Sequence, residues 1–484
     1  MKQRWLFGLG AVAGAAAASV AIAQARRGTI ELAERIGRLQ LTAAANGKNI
    51  VVLGAGFGGL NTVSTLLHRL PPESGWRVTL VDRHNYFLFT PLLYHAATGL
   101  VDPSNVLFPV RSLSQAENFD FREATVQDID LRRQVVHLDD GQLSYDYLVL
   151  ALGSVTNFFG QEEELRDALT LKTTADAITV RNRLIDAFER ANVAADPDER
   201  RRCLTFVVVG GGATGIELAG AIQGLIRGTL ARQYPHIRPE ESRLLVFEAL
   251  SEILPGLPRE LAHYSEQRLC ELGVDLRLDT PVAHVSAEGI TLKNGEAISS
   301  RTVIWAAGVK PAPLAARLDV PKIKNGRILV NEFMQVQDVP NCYALGDIAA
   351  FLDESEKPLP PTAAIAVRQG KALAEILAAR LEGKQPHPFR YTPVGELVSL
   401  GRHEAVADVK GVKVTGFPAW LLWRAFYLSQ LMGFKNRLAV ALDWSFAYAY
   451  QRDTVRLEVP TSAAEPDENP AAETPEPAVL SGQR

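Results

Sequence analysis

Cysteine is scarce in this chain of 484 residues: it has Cys203, Cys270 and Cys342, and no two of them form a C-x-x-C or C-x-x-x-x-C pair. This scarcity argues against a disulfide framework, a cysteine-bound zinc site and a dithiol redox centre. The nine histidines form no H-x-x-x-H pattern, so we expect no metal site. The chain also lacks an excess of positive charge, since its formal net charge is −4. Nucleic acid is therefore not an expected partner.

An uncharged stretch near the start of the chain is long enough to cross a bilayer. Residues 5–25 follow Lys2 and Arg4, are rich in Ala and Gly, and include an Ala-Ile-Ala triplet that resembles a signal-peptidase site. The stretch is therefore either a cleaved export signal or a retained anchor. We favour a transmembrane anchor over residues 1–25 and a linker helix over 26–47, because the basic residues after the stretch favour a cytoplasmic main body.

Glycine, by contrast, recurs in a specific spacing after an apolar strand. Residues 49–53 predict a buried strand, and a G-x-G-x-x-G turn before a helix follows it. In such a turn the first glycine permits the tight bend, the second lets a pyrophosphate approach the backbone, and the third lets helix and strand pack closely. The helix N-terminus then offers N–H groups to the phosphates. The candidate dinucleotide contacts of this turn are Gly54, Ala55, Gly56, Phe57, Gly58 and Gly59.

The segments after this turn supply further candidates. The next strand, residues 77–81, ends at Asp82, where an acid accepts a hydrogen bond from a ribose 2′-OH, although a turn or capping aspartate is the alternative. The aromatic loop 84–93 is either a packed loop or a wall beside a flat ring system. The strand 147–150 leads into a small-residue turn, as close passage of backbone past a cofactor requires. The candidates of these segments are Asp82, Arg83, Thr90, Pro91, Ala151 and Gly153.

The same succession of features occurs a second time. A strand over residues 204–209 leads into a second G-x-G-x-x-G turn, the following strand ends at Glu248, and the strand 302–305 ends in another small-residue turn. An acid at the position of Glu248 favours a free ribose 2′-OH and repels a 2′-phosphate, so we expect NADH rather than NADPH. The candidates of this second unit are Gly210, Gly212, Ala213, Thr214, Gly215, Glu248, Ala307 and Gly308. We interpret residues 195–202, just before it, as a charged linker.

A third candidate position follows the second unit. An apolar strand ends in Gly346-Asp347, where a carboxylate can accept a hydrogen bond from a sugar hydroxyl. Thr362 is expected to cap a helix over residues 363–381.

The end of the chain differs in character. Three of the six tryptophans lie between residues 420 and 444, beside arginine and lysine, which suits a bilayer interface. A dimer interface or a packed pair of helices is the alternative, and we favour the membrane surface. Residues 459–484 are rich in Pro, Glu and Ala and predict a disordered tail.

Taken together, these motifs resemble the type II NADH:quinone oxidoreductases, or alternative NADH dehydrogenases, over residues 48–458. The resemblance rests on both glycine turns with their acids, on Gly346-Asp347 and on the aromatic end with the run Gly-Phe-Lys-Asn-Arg at 433–437. It implies that the first unit binds FAD and the second NADH. It further implies a non-proton-pumping enzyme of the respiratory chain at the cytoplasmic face of a bacterial-type inner membrane, where electrons pass to a membrane quinone. Members of the family often form homodimers.

The expected fold is therefore α/β, with two Rossmann-like dinucleotide-binding domains and a C-terminal membrane-associating helical region. The expected domains are a two-part FAD-binding domain (48–171 and 310–400), an NADH-binding domain (172–309), the membrane-associating region (401–458) and the tail (459–484).

The resemblance also assigns roles to three further positions. It places Glu217 near the nicotinamide as the catalytic candidate, the alternative being a helix first-turn acid that complements the dipole. The family often has an A-Q-x-A-x-Q segment near the quinone, and here Ala364 and Arg368 stand at the two glutamine positions, which weakens the assignment of the acceptor. Flavoproteins of the same fold that oxidise sulfide, or that resemble apoptosis-inducing factor, are the competing interpretations. Sulfide oxidation, however, needs redox cysteines, and the three cysteines of this chain lie outside the expected arrangement.

Overall fold

The computed structural model describes residues 48–114, 116–393 and 395–458. The predicted anchor or signal segment, its linker and the predicted tail lie outside the described residues. By their contacts, the described residues form two compact units. The first contains residues 48–87, 109–155 and 310–391, and the second contains residues 88–108, 156–309 and those from 392 onward.

Strands and helices alternate along most of the chain. The strands are β1 (Lys48–Leu53), β2 (Trp76–Asp82), β3 (Tyr86–Leu88), β4 (Leu107–Pro109), β5 (Phe119–Glu123), β6 (Val126–Asp130), β7 (Val135–Leu138), β8 (Gly141–Ser144), β9 (Tyr147–Leu150), β10 (Ser154–Thr156), β11 (Thr205–Val209), β12 (Arg243–Phe247), β13 (Val274–Arg277), β14 (Val282–Ser286), β15 (Gly289–Leu292), β16 (Ala297–Ser299), β17 (Thr302–Trp305), β18 (Val309–Pro311), β19 (Ile328–Val330), β20 (Cys342–Ala344), β21 (Ala349–Phe351), β22 (Gly395–Gly401), β23 (Glu404–Val409) and β24 (Val412–Thr415). The α-helices are α1 (Phe57–Arg69), α2 (Leu93–Ala97), α3 (Thr174–Val193), α4 (Pro197–Cys203), α5 (Ala213–Leu225), α6 (Ala231–Gln233), α7 (Arg259–Glu271), α8 (Leu314–Arg317), α9 (Ala363–Leu381), α10 (Gly416–Gln430) and α11 (Phe434–Ala449).

The first unit is built on a parallel sheet in the order β20-β9-β1-β2-β5. Its central strand β1 is apolar and buried from Ile50 to Leu53, as a parallel strand covered on both faces must be. Helix α1 packs against α9, where Gly370 leaves room for the carbonyl of Gly58: a Cβ on Gly370 would lie 2.4 Å from that oxygen. Thr362 caps α9 as predicted, because its side chain accepts a hydrogen bond from the Ile365 N–H at 3.4 Å.

The second unit repeats this plan with a parallel sheet in the order β13-β12-β11-β17. Strand β11 is buried along its whole length. The two parallel sheets confirm the predicted α/β fold with two dinucleotide-binding units. Because parallel strands end at one edge of a sheet, the glycine turn after β1 lies near the end of β2, and the turn after β11 lies near the end of β12.

Residues 195–202 are not a linker, so this prediction is wrong. Residues 197–202 belong to α4, whose N-cap Asp196 accepts a hydrogen bond from the Asp198 N–H at 3.0 Å and is followed by Pro197 at the first helical position. Aspartate before proline is a helix-start signal, and the run of charges after it obscured that signal.

The end of the second unit is an antiparallel meander, β22-β23-β24, followed by the helices α10 and α11. The predicted C-terminal helical region is thus present. Strand β22, which the prediction assigned to the FAD-binding domain, is grouped by its contacts with the second unit. Among the helices described, none has both the length and the apolar character needed to cross a membrane.

Candidate functional site

The first glycine turn is held by backbone and by Asp82. The Gly54 N–H donates to the Val81 carbonyl at 2.8 Å, and the Ala55 N–H donates to the Asp82 carboxylate at 2.6 Å. A Cβ on Gly59 would lie 1.9 Å from the Gly54 carbonyl oxygen, and one on Gly54, whose φ is +102°, would lie 2.4 Å from that of Ala151. These contacts show why the first and third positions of the turn exclude any side chain.

Gly56 differs from its neighbours because the space beside it is open. A Cβ built there would meet nothing within 4 Å. Gly56 is also the N-cap residue of α1 and contributes no side chain to cap it. An open cradle at a helix N-terminus is the place where a pyrophosphate approaches the backbone, so the turn fits a dinucleotide.

The second turn has nearly the same geometry. The Gly210 N–H donates to the Phe247 carbonyl at 2.8 Å, and the Gly211 N–H donates to the Glu248 carboxylate at 2.5 Å. A Cβ on Gly215 would lie 1.9 Å from the Gly210 carbonyl oxygen, whereas one on Gly212, the N-cap of α5, would meet nothing within 4 Å. Both turns therefore combine a closed packing glycine with an open phosphate cradle.

The two acids also have a structural task, which the sequence offered for Asp82 as the alternative of a turn aspartate and did not offer for Glu248. The second carboxylate oxygen of Asp82 accepts from the His84 N–H at 2.8 Å, and that of Glu248 accepts from the Leu250 N–H at 2.9 Å. Each carboxylate thus ties the end of its strand to the glycine turn beside it. A carboxylate oxygen has more than one lone pair, so both acids retain acceptor capacity for a ribose hydroxyl.

The remaining candidate residues lie at Gly346-Asp347, in the glycine-containing turns and in a short 3₁₀ helix. In the first unit, the Asp347 carboxylate accepts from the Ser154 hydroxyl at 2.6 Å, and the Gly346 N–H donates to the Gln369 side chain at 2.8 Å. Gly153, Gly308 and Gly346 have positive φ values of 69°, 82° and 70°. Arg83, Phe57, Gly58, Ala213, Thr214 and Ala307 lie in or beside their turns as the sequence places them. Thr90 and Pro91 begin a 3₁₀ helix, Thr90–Leu92, which by its contacts belongs to the second unit.

Glu217 is a buried acid in α5, with 8 % of its surface exposed. One oxygen of its carboxylate accepts from the Ser399 N–H at 3.1 Å and from the Trp423 indole N–H at 3.0 Å. Burial raises the pKa of Glu217 to about 8, against the lowering effect of these hydrogen bonds. The group is therefore largely protonated at pH 7. The alternative of a first-turn acid is wrong, because no acid lies in the first turn of α5.

Aromatic side chains enclose Glu217. The Trp423 ring lies 4.5 Å from the Tyr427 ring and 5.3 Å from the His95 ring, and the Trp444 indole N–H donates to His95 Nδ1 at 3.2 Å. Burial lowers the pKa of His95 and, together with the charge of Glu217, raises that of Tyr94. Sequence reasoning missed Ser399, Trp423 and Tyr94 as partners of Glu217. All three tryptophans of this region, Trp420, Trp423 and Trp444, are buried, so their assignment to a bilayer interface is wrong.

The two positions expected near a quinone lie in the first unit, on α9. Ala364 is the exposed second residue of α9. Its methyl side chain has no polar atom that could donate or accept a hydrogen bond. Arg368 is half-buried, with its guanidinium 5.4 Å from the centre of the Tyr391 ring. Arg368 therefore presents a cation where the family often has an amide.

Comparison with known proteins identifies the family. The sequence model of the pyridine nucleotide-disulphide oxidoreductases matches residues 48–370, and that of the NDH2 C-terminal domain matches residues 394–453. The type II NADH:quinone oxidoreductase Ndh of Mycobacterium tuberculosis is 32% identical over 419 residues, which is 83% of this chain and 88% of the relative. The chain belongs to the type II NADH:quinone oxidoreductase family. External NADH-ubiquinone oxidoreductase 2 of Saccharomyces cerevisiae is 30% identical over 86% of this chain and 84% of its own length.

Solved structures of this family share the fold. The structure of NDH2 from Plasmodium falciparum in complex with NADH aligns with a TM-score of 0.78, at 20% identity, over 85% of this chain and 100% of that one. The sulfide:quinone oxidoreductase of Aquifex aeolicus aligns with a TM-score of 0.64, at 20% identity, over 81% of this chain and 92% of that one. At such identities the likeness concerns the fold, which the sulfide-oxidising relatives therefore share with the type II family.

Proposed function

We propose that this chain is a NADH:quinone oxidoreductase that takes electrons from NADH through a bound flavin and passes them to a membrane quinone. The observation that carries the proposal is the duplicated turn: each unit has an open cradle, at Gly56 and at Gly212, next to a strand-end acid. Two dinucleotide sites suit a flavoprotein that holds FAD and uses a nicotinamide. Family membership supports quinone as the acceptor, since the curated relatives are named for that reaction.

The first turn is the proposed FAD site and the second the proposed NADH site. Asp82 would hold a ribose hydroxyl of FAD, and Asp347 would hold a hydroxyl of its ribityl chain. Glu248 would hold the 2′-OH of the NADH ribose. A carboxylate at Glu248 repels the 2′-phosphate of NADPH, and for this reason NADH is the proposed donor.

The flavin, when bound, accepts a hydride from the nicotinamide and delivers two electrons to the acceptor. The net reaction also consumes one proton, because NADH and quinone yield NAD⁺ and quinol. Glu217 is the proposed catalytic residue: its raised pKa keeps a proton on the carboxyl at neutral pH, where it can be donated. The Ser399 N–H and the Trp423 indole hold that carboxyl in one orientation.

Exposed apolar side chains on α10 and α11 support the proposed association with a membrane surface. They are Phe417, Leu421, Leu422, Phe426, Phe434, Leu438, Leu442 and Phe446. Contiguous apolar surface of this kind marks a membrane or protein interface. We assign it to the bilayer, where the quinone dissolves, and a homodimer contact is the competing use of the same surface.

The deciding experiment follows the flavin absorbance of the purified protein. NADH should bleach it faster than NADPH, and a short-chain quinone should restore it. Bleaching without reoxidation by any quinone would favour a flavoprotein with another acceptor, such as one related to apoptosis-inducing factor. Bleaching by sulfide instead of NADH would favour sulfide oxidation, and no bleaching by either nucleotide would contradict the proposal.

A further inference from the structure

The two N–H donors that bind the Glu217 carboxyl reach the same atom. Its Oε1 oxygen accepts from the Ser399 backbone N–H at 3.1 Å and from the Trp423 indole N–H at 3.0 Å. A backbone amide and an indole each have a single N–H, so both donors are committed to Oε1. The two oxygens of this buried carboxyl therefore have different surroundings.

The Ser399 donor is fixed by the close approach of α5 to β22. A Cβ on Gly220 would lie 2.3 Å from the Leu400 carbonyl oxygen, so only glycine permits this approach. Gly220 is three residues after Glu217, and the two therefore lie on one face of the helix. Because β22 is the edge strand of its sheet, the Ser399 N–H is available to a side chain on that face.

The Trp423 donor is fixed by the rings around it. Only 1% of the surface of Trp423 is exposed, and its ring centre lies 4.5 Å from that of Tyr427, 5.3 Å from that of His95 and 6.0 Å from that of Trp444. A close-packed interior resists rotation of so large a ring. The indole N–H is thus held in the direction of Oε1.

These two donors decide where the acid proton of Glu217 resides. A proton on Oε1 would occupy a lone pair there and leave a buried N–H without its acceptor, which is costly, whereas a proton on Oε2 preserves both hydrogen bonds. The buried Tyr94 hydroxyl makes no hydrogen bond of normal geometry with the described residues, yet it lies close enough to the carboxyl to affect its pKa. Its oxygen offers the Oε2 proton an acceptor.

We propose that Trp423 is a positioning residue that confines the acid proton of Glu217 to Oε2. The inference rests on the proposed role of Glu217 as the proton donor, because a proton fixed on one oxygen leaves the carboxyl in one direction. Trp423 acts through Glu217. Its N–H is a stronger partner for the carboxylate than for the neutral acid, so it also limits the rise in pKa that burial causes.

Other ionisable groups surround this carboxyl. They are Tyr94 and His95 on α2, Glu396 on β22, Arg424 and Tyr427 on α10, and Arg452 after α11. Among them, Glu396 raises the pKa of Glu217 by the repulsion of like charges. Replacing Trp423 with phenylalanine alters none of these charges, so a change in the titration of Glu217 reports the lost hydrogen bond.

Infrared absorption of the full-length protein provides the test, because the carbonyl stretch of a protonated carboxyl falls in frequency when hydrogen bonds reach its carbonyl oxygen. The Glu217 band is identified by its absence in Glu217→Gln. In Trp423→Phe we expect the band to move to higher frequency and the pKa of Glu217 to rise by about one pH unit. The matched control Trp444→Phe removes a buried indole N–H that donates to His95 at 3.2 Å, and it should leave the band and the pKa unchanged.

A band that does not move in Trp423→Phe would overturn the proposal, since Oε1 would then not be the carbonyl oxygen. An equal shift in Trp444→Phe would indicate general loosening of the aromatic cluster and would also overturn it. If Trp423→Phe does not fold, the parent decides, because a band at the frequency of a carbonyl without hydrogen bonds would contradict the assignment.

Turnover separates this inference from the proposed function. If Glu217 donates the proton, kcat of the parent should fall as the pH rises through about 8. In Trp423→Phe that fall should move upward by the same pH unit as the infrared titration, with the KM for NADH unchanged. An infrared shift without any change in the kcat profile would support the position of the proton and contradict Glu217 as the catalytic proton donor.

Discussion

At the scale of single residues, Glu217 shows how burial converts an ordinary acid into a proton reservoir. Its pKa of about 8 exceeds the ordinary glutamate value of 4.5, so between these values the unfolded chain releases a proton that the folded chain retains. The contribution of Glu217 to stability is therefore complete below pH 4.5 and is lost as the pH rises through 8. Across that window the loss is about 1.4 kcal/mol for each pH unit.

Glu217→Gln should abolish this pH dependence, because the amide keeps the shape of the side chain without titrating. Unfolding followed by denaturant between pH 5 and 9 should show the variant gaining stability relative to the parent as the pH rises. Turnover with NADH should fall, since the proposed proton donor is missing. Glu163→Gln, at an exposed acid whose side chain is 89% accessible, is the control. If the two variants had the same pH profile, Glu217 would not be the buried titrating group.

Ala364 allows a direct test of the acceptor end. A glutamine there restores the amide that the family often carries, and because Ala364 is exposed the larger side chain fits without a clash. Ala364→Gln should change the KM for quinone severalfold and leave the KM for NADH within error. Ala372→Gln, at a partly exposed alanine further along α9, is the control. Equal effects on both KM values, or none, would count against a role for this position in quinone binding.

At the scale of elements, the repeated strand–turn–helix unit offers matched variants in the two nucleotide sites. Gly59→Ala and Gly215→Ala each force a Cβ to within 1.9 Å of a backbone oxygen and should disrupt the turn itself. Gly56→Ala and Gly212→Ala meet no protein atom within 4 Å and should fold normally. The added methyl group of Gly56→Ala or Gly212→Ala would instead fill the phosphate cradle and weaken binding of the dinucleotide at that site.

The expected outcome separates the two sites. Gly56→Ala should be purified with less flavin, measured by its absorbance, whereas Gly212→Ala should retain flavin and show a raised KM for NADH. If both variants have normal melting curves, the loss of flavin or of NADH affinity arises from the filled phosphate cradle and not from misfolding. The reverse pattern, with flavin lost from Gly212→Ala alone, would exchange the assignments of the two units.

The same elements show what a sequence can reveal. The glycine turns and their acids were predictable because each geometry depends on spacing within one short stretch and on parallel neighbours. The environment of Glu217 was not, because Tyr94, Ser399 and Trp423 come from three distant segments that meet only in the folded second unit. The tryptophans were misassigned for a related reason: composition identifies an amphipathic region but does not specify which of its aromatic side chains face inward.

At the scale of the whole molecule, α10 and α11 carry exposed apolar side chains that contact with water alone does not explain. On α11, Leu438, Leu442 and Phe446 recur every four residues and form one exposed stripe. Burying half-exposed leucines in a bilayer stabilises binding by about 1 kcal/mol each. Leu438→Glu with Leu442→Glu should therefore weaken binding to vesicles by roughly thirtyfold or more.

Flotation with phosphatidylcholine–phosphatidylglycerol vesicles measures that loss, and Val193→Glu, at an exposed valine on α3 outside the stripe, is the control. Activity with a soluble quinone should survive in the double variant, because the change leaves both nucleotide turns intact. Activity with a long-chain quinone embedded in vesicles should fall along with binding. A double variant that still floats but changes from dimer to monomer in light scattering would instead assign the stripe to a contact between two copies of the chain.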